Sequence, residues 1–320
     1  MENMNLNRIL YIDYARSIAL FIVVFAHLYS VDSNVKLFFY AFHMPFFFLV
    51  SGILHRDAEF VPLLKKLTMR MLIPFCFFLL IGYLYFVLSS HSLAFGILFS
   101  SIKGIMIGKD ITANDILWFL IALFWVRIMG NWFIRHPLTA FFIMALLSSI
   151  AYCFNINYLF IETSLMALPF YLLGYYLKKI IHKIISIRWH FLLLLSFILF
   201  FITMLISNYN GKVSMMGCSF GKSSVFPLRY FLFYLNGLIG SMAILCLGRL
   251  KVNIPWLLKP SQCAISIVGL QFIPVMIWYR SIGFNHNYLI SCIYTIFILM
   301  GCIFFHTLVE RKAKWLLGGK

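Results

Sequence analysis

Eleven long apolar stretches limit this chain more than anything else in its sequence. They run roughly over 9–30, 35–54, 69–89, 93–108, 116–134, 138–154, 163–181, 189–208, 226–248, 262–280 and 287–309. A helix of about twenty apolar residues is what it takes to cross the hydrocarbon core of a bilayer. Of the 320 residues, 63% are hydrophobic and only 11% charged, and a water-soluble chain of that make-up would expose large apolar patches and aggregate. Strands are not a competing reading, because an open sheet cannot satisfy its backbone in lipid. The segment 93–108 is short, contains Lys103 and is rich in serine and glycine, so it reads as a re-entrant or interfacial helix. The expectation is an all-α polytopic bundle of about ten transmembrane helices plus that short helix.

The cations give an independent test of the count. Of 26 lysines and arginines, Arg16 and Arg229 are taken as lying within spans, and cations towards the span ends are counted with the adjoining loops. With ten crossings, six (Lys36, Lys103, Lys109, Lys212, Lys222 and Arg280) fall on one side, and the remaining eighteen lie on the side that holds both termini. A three-to-one bias assigns the richer side, and both termini, to the cytoplasm. Counting 93–108 as a full crossing would reverse every later loop and spoil the bias. The net charge of +17 therefore does not point to nucleic acid, since the cations cap apolar runs instead of gathering on one polar face. The seven cysteines are scattered with no CxxC pair, as small apolar residues are, and no metal set is expected. The apolar stretch at the start carries Asp13 and Arg16 and lacks a small-residue cleavage site after Tyr29, so it reads as a retained first helix. No stretch has the size of a soluble domain. The whole of 1–320 reads as one membrane domain, and any chemistry belongs in the bundle or at its mouths.

Ionisable groups inside a span are costly and mark function by default. The first helix holds three: Asp13, Arg16 and His27. Eleven residues are three helical turns, so Arg16 and His27 share a face about 16 Å apart along the axis, and Asp13 lies one turn from Arg16 and can pair with it. One reading is a lined cavity with Arg16 towards the cytoplasmic side and His27 near the outer side. The other is a structural ion pair and an interfacial histidine. The second span places His43 near mid-depth and Ser51 about level with Arg16, in the run FHMPFFFLVSG. His43 suits a shared cavity or a hydrogen-bonded core position, and Ser51 with Gly52 suits close helix packing. Lys65, Lys66 and Arg70 open the third span. They suit a phosphate-bearing cytosolic cofactor or an ordinary positive-inside cluster. A glycine-rich phosphate loop, an HExxH motif and paired carboxylates at helical spacing are all missing from the sequence. Only nine acidic residues occur in all, few for an ion-coupled transporter.

These segments resemble the membrane-bound acyltransferase 3 family. Ile12-Asp13-Tyr14-Ala15-Arg16 through His27 is similar to its motif of Arg, ten residues, His, with the Asp three before the Arg. Phe42-His43-Met44-Pro45-Phe46-Phe47-Phe48-Leu49-Val50-Ser51-Gly52 is similar to its FHMPLFFFLSG segment, most like the branch of fucose 4-O-acetylase-like proteins. Leu117-Trp118-Phe119-Leu120 and Pro169-Phe170-Tyr171-Leu172-Leu173-Gly174-Tyr175 resemble two weaker family segments. Two positions depart: Leu67 stands where the family often has a second arginine, and Gln271 where a histidine often follows the ninth-span segment Ser266-Ile267-Val268-Gly269-Leu270. The family's optional SGNH hydrolase-like domain has no counterpart in this sequence.

The resemblance implies a multi-pass enzyme of a bacterial inner membrane. It implies an O-acyltransferase with acyl-CoA, most simply acetyl-CoA, as co-substrate and no permanently bound cofactor. The acceptor implied is a sugar hydroxyl of a surface polysaccharide or lipid-linked glycan. It implies His27, Arg16, Asp13 and His43 as catalytic residues, and Arg16, Arg70, Lys66 and Ser51 as contacts to the acyl-CoA. Its partners would be acyl-CoA, the glycan and membrane lipids, with no nucleic acid. The rival reading is a polysaccharide or lipid-linked sugar transporter, whose pathway the Arg16–His27 stripe would line.

Overall fold

The computed structural model describes residues 2–30, 32–90, 95–135, 157–178, 181, 187–221, 226–249, 254–283 and 287–319. Within them the structure is helical, with a single isolated bridge between Ser214 and Ser219 and no strand. The helices are α1 (Glu2–His27), α2 (Asn34–Tyr40), α3 (His43–Ile53), α4 (Phe60–Leu67), α5 (Ile73–Ser90), α6 (Phe95–Ile107), α7 (Trp118–Phe133), α8 (Ile161–Leu177), α9 (Trp189–Asn210), α10 (Phe226–Leu247), α11 (Lys259–Gln262), α12 (Ala264–Leu270), α13 (Phe272–Ser281) and α14 (Tyr288–Ala313). Nine helical segments among the described residues are long and apolar enough to cross a bilayer. They correspond to nine of the ten expected crossings, and the tenth, 138–154, lies outside the described residues. Helix α6 has 13 residues, about 20 Å of helix, short of the roughly 30 Å hydrocarbon core.

Three spans differ in detail from the sequence reading. The second is broken after Tyr40. Pro45 has no N–H to give, and its ring crowds the carbonyl four residues back, at Ala41; the chain turns at Ala41 and Phe42 and restarts as α3. The third span begins earlier, at Phe60, and α4 joins α5 through a π-helical turn, Thr68–Leu72. The ninth is divided at Cys263 and Gln271 into α11, α12 and α13.

Helix α3 is central, with Phe42 before it and Phe46 and Phe48 within it fully buried. It crosses α8 with almost no gap. A Cβ on Gly52 would fall on the Tyr171 carbonyl oxygen, and one on Gly174 on that of Leu49. Mutual glycines let two backbones meet in this way inside a membrane. Outer faces are apolar instead of polar. On α14, Ile293, Phe297, Met300 and Phe304 are exposed at helical spacing, the face that lipid would cover.

Candidate active site

Two cavities lie along the Arg16–His27 face of α1. One, of about 90 Å³, is lined by His27 at the end of α1, Tyr40 and His43 at the α2–α3 break, Asp115 and Trp118 at the start of α7, the 214–216 loop, and Gln271 between α12 and α13. The His27 and His43 ring centroids are 6.4 Å apart at 89°, with the Tyr40 ring 5.8 Å from His27 and 4.7 Å from His43. The break after Tyr40 is what brings His43 to the level of His27; the sequence reading of one straight span left it nearer mid-depth. Each histidine places Nδ1 2.7 Å from the carbonyl oxygen four residues back, Val23 for His27 and Phe39 for His43. A carbonyl can only accept, so Nδ1 carries the proton in each, and Nε2 of the neutral ring is left as an acceptor. The Tyr279 hydroxyl donates to the His27 carbonyl and fixes the end of α1.

The other cavity, of about 600 Å³, is lined by five cations, Arg16, Arg56, Lys66, Arg70 and Arg127, with Ser51 among its polar groups and no carboxylate. Arg16 Nη1 donates to Asp13 Oδ1 at 3.2 Å, and the Ser261 hydroxyl donates to the same oxygen at 2.8 Å. Asp13 thus orients Arg16 from behind and lines neither cavity. Arg70 sits in the π-helical turn, the kind of local insertion that redirects a side chain. Leu67, where the family often carries arginine, is buried against Leu63, Met71 and Phe124. The cationic lining at that end comes from Lys66 instead.

Beside the basic cavity, a clamp holds the 54–59 loop. The His55 ring meets the Tyr171 hydroxyl at 2.6 Å and Asp57 at 3.1 Å, and Lys178 donates to the His55 carbonyl at 3.0 Å. Asn131 donates to the Ala58 carbonyl and accepts from its N–H, at 3.0 and 3.3 Å. Burial holds the His55 pKa below its ordinary 6.5, against the opposing pull of Asp57. Arg56 reaches the basic cavity from this loop.

The structure therefore separates the residues singled out in the sequence into two groups. His27 and His43 share the small cavity; Arg16, Ser51, Lys66 and Arg70 share the large one. Sequence reasoning missed Arg56 and Arg127 as cavity residues, treating them as loop charges. It also missed Asp115 and saw Gln271 only as a departure. For Asp115, a signal was present: an acid placed just before the Leu117-Trp118-Phe119-Leu120 segment. Four side chains, Leu20, Phe47, Phe119 and Val268, line both cavities and form the wall between them.

A multi-pass membrane bundle with a cationic chamber and a histidine chamber back to back is the class of protein that this geometry defines. A family model described as an acyltransferase domain, that of the acyltransferase 3 family, matches residues 9–307. The chain belongs to that family and is a membrane acyltransferase. No curated protein and no solved structure matches it.

Proposed function

We propose that the protein transfers an acetyl group from cytosolic acetyl-CoA to a hydroxyl of a surface polysaccharide or lipid-linked glycan at a bacterial inner membrane. The observation that carries this reading is the pair of cavities with one shared wall, five cations on one side and two unprotonated Nε2 atoms on the other. Phosphates and a nucleotide need a roomy site with several cations, where arginine forks grip oxygens in pairs. Arg16, Arg56, Lys66, Arg70 and Arg127 supply that at the end that loop charge assigns to the cytoplasm, and Ser51 adds a hydroxyl. A flexible pantetheine arm then directs the thioester towards the shared wall.

The chemistry follows from the histidine tautomers. His27 Nε2 takes the proton of the sugar hydroxyl as its oxygen attacks the thioester carbonyl. A C–O bond forms, the C–S bond breaks, the ester leaves with the sugar, and the departing CoA thiolate takes from His27 Nε2 the proton it had accepted, which returns the histidine to its neutral form. His43, with its own proton on Nδ1, offers a second acceptor to the sugar; stabilising the developing oxyanion would require its doubly protonated ring. Tyr40, in the same cavity, carries the hydroxyl suited to that donation.

The test is purified protein in liposomes, given radiolabelled acetyl-CoA on the basic side. The expected outcome is acetyl-CoA turnover that a glycan acceptor accelerates and that loss of His27 abolishes. A sugar transporter would turn over no acetyl-CoA, and that result would sink the reading.

A further inference from the structure

Gln271 is fully buried, and both atoms of its carboxamide, Oε1 and Nε2, lack a hydrogen-bond partner. It lines the histidine cavity. A glutamine at a helix break often serves to cap the freed backbone, but this one does not. The Gln271 N–H donates to the Ile267 carbonyl at 3.1 Å, and the Gln271 carbonyl accepts from Val275 at 3.1 Å, so the backbone is satisfied without the side chain. A buried amide with neither end paired is costly, and it sits where an incoming ligand would meet it. Its position is fixed from across the cavity. Asn114, the neighbour of Asp115, donates to the carbonyl of Gly269 at 2.8 Å, tying the start of α7 to the α12–α13 break. Asp115 accepts from the Ile111 N–H at 3.3 Å and lines the same cavity.

We propose that Gln271 is the acceptor-recognition residue and reads a vicinal diol, that is, two hydroxyls on adjacent carbons of the sugar. This rests on the acetyl-transfer reading above. A carboxamide presents an acceptor and a donor side by side in one plane. Oε1 takes the O–H of the hydroxyl that is not acylated, and Nε2–H donates to the oxygen of its neighbour, whose proton stays directed to His27 Nε2. The cavity size supports a local contact of this kind. About 90 Å³ is well below the roughly 150 Å³ that holds a benzene ring, so it admits the diol edge of a sugar and a two-carbon acyl group, and the rest of the glycan stays outside.

The experiment uses the full chain in liposomes, radiolabelled acetyl-CoA, and soluble methyl hexopyranosides that carry a vicinal diol, each beside its monodeoxy analogue. Wild type should prefer the diol by about tenfold or more in KM. Gln271→Leu, which removes both polar atoms, should raise the diol KM to that of the deoxy analogue and erase the preference, with the acetyl-CoA KM unaltered. Gln271→Met serves in the same role if the leucine variant does not accumulate. Thermal melting of either variant should equal or exceed wild type, because an orphaned polar group has been removed. A variant that melts lower and still discriminates the diol overturns the proposal, with Gln271 then a structural residue. Wild type that hydrolyses acetyl-CoA but responds to no diol also overturns it, leaving the donor reading standing. Wild type inert towards acetyl-CoA overturns both.

Discussion

The basic cavity holds about 600 Å³ and the histidine cavity about 90 Å³, although they share Leu20, Phe47, Phe119 and Val268. The large one is lined by long cations, of which Arg56, Lys66 and Arg70 are exposed, on elements near the ends of spans. The small one is bordered by aromatic rings and by His43, which is 2% exposed, with His27 fixed to the backbone of its own helix and His43 to the Phe39 carbonyl of α2. Many adaptable charges in a wide chamber grip a polyanion without demanding one pose. Few groups at fixed distances in a tight chamber control a reacting atom. On the proposed function, binding falls to Arg16, midway along α1, and chemistry to His27 at its end, and each reaches one cavity.

That division makes predictions of decreasing size. His27→Ala should lower kcat by about 10²–10⁴ while leaving the acetyl-CoA KM in place, measured with labelled acetyl-CoA on protein whose membrane insertion is verified. A rise in KM without a fall in kcat would show that the two chambers are not separate in function. Arg16→Lys should raise the acetyl-CoA KM by about tenfold or more, because an ammonium cannot replace the guanidinium that Asp13 orients. An unchanged KM would remove Arg16 from the donor site. Arg56→Ala and Arg70→Ala should each raise that KM by about twofold to fivefold, as exposed charges do, and the effect should shrink in high salt. Salt-independent effects would point to packing instead of charge.

The smallest effect concerns the clamp beside the basic cavity. The folded state holds the His55 pKa below its ordinary 6.5, so it binds fewer protons there than the unfolded chain does. The clamp's stability is then complete above about pH 6.5 and falls as pH drops from there towards the lowered value. Melting temperature followed between pH 7.5 and 5 should decline, and His55→Gln should flatten that decline. An equal decline in the variant would assign the pH dependence to another group.

Gly52 and Gly174 show how far short-range sequence could go. Each lies in a segment that resembles the family, and the sequence proposed close packing at Gly52, but only the fold shows the two glycines meeting each other's helices. The π-helical turn that carries Arg70 left no sign in the apolar pattern, because an inserted residue does not alter composition. Pro45 was a cue that the reading of 35–54 as one span passed over, and its result, a turn that raises His43 to His27, depends on how α2 and α3 then pack.

The sequence by itself determined that the chain crosses a membrane repeatedly, because a helix in lipid needs about twenty apolar residues and nothing else will do. It also determined that Arg16 and His27 share one face, since helical periodicity is local. What only the tertiary structure decided is which distant groups join them. Arg56 and Arg127 converge on Arg16, and Asp115 and Gln271 on His27, from separate loops, helices and a helix break. Such convergence is set by helix crossings and breaks, which no local pattern records.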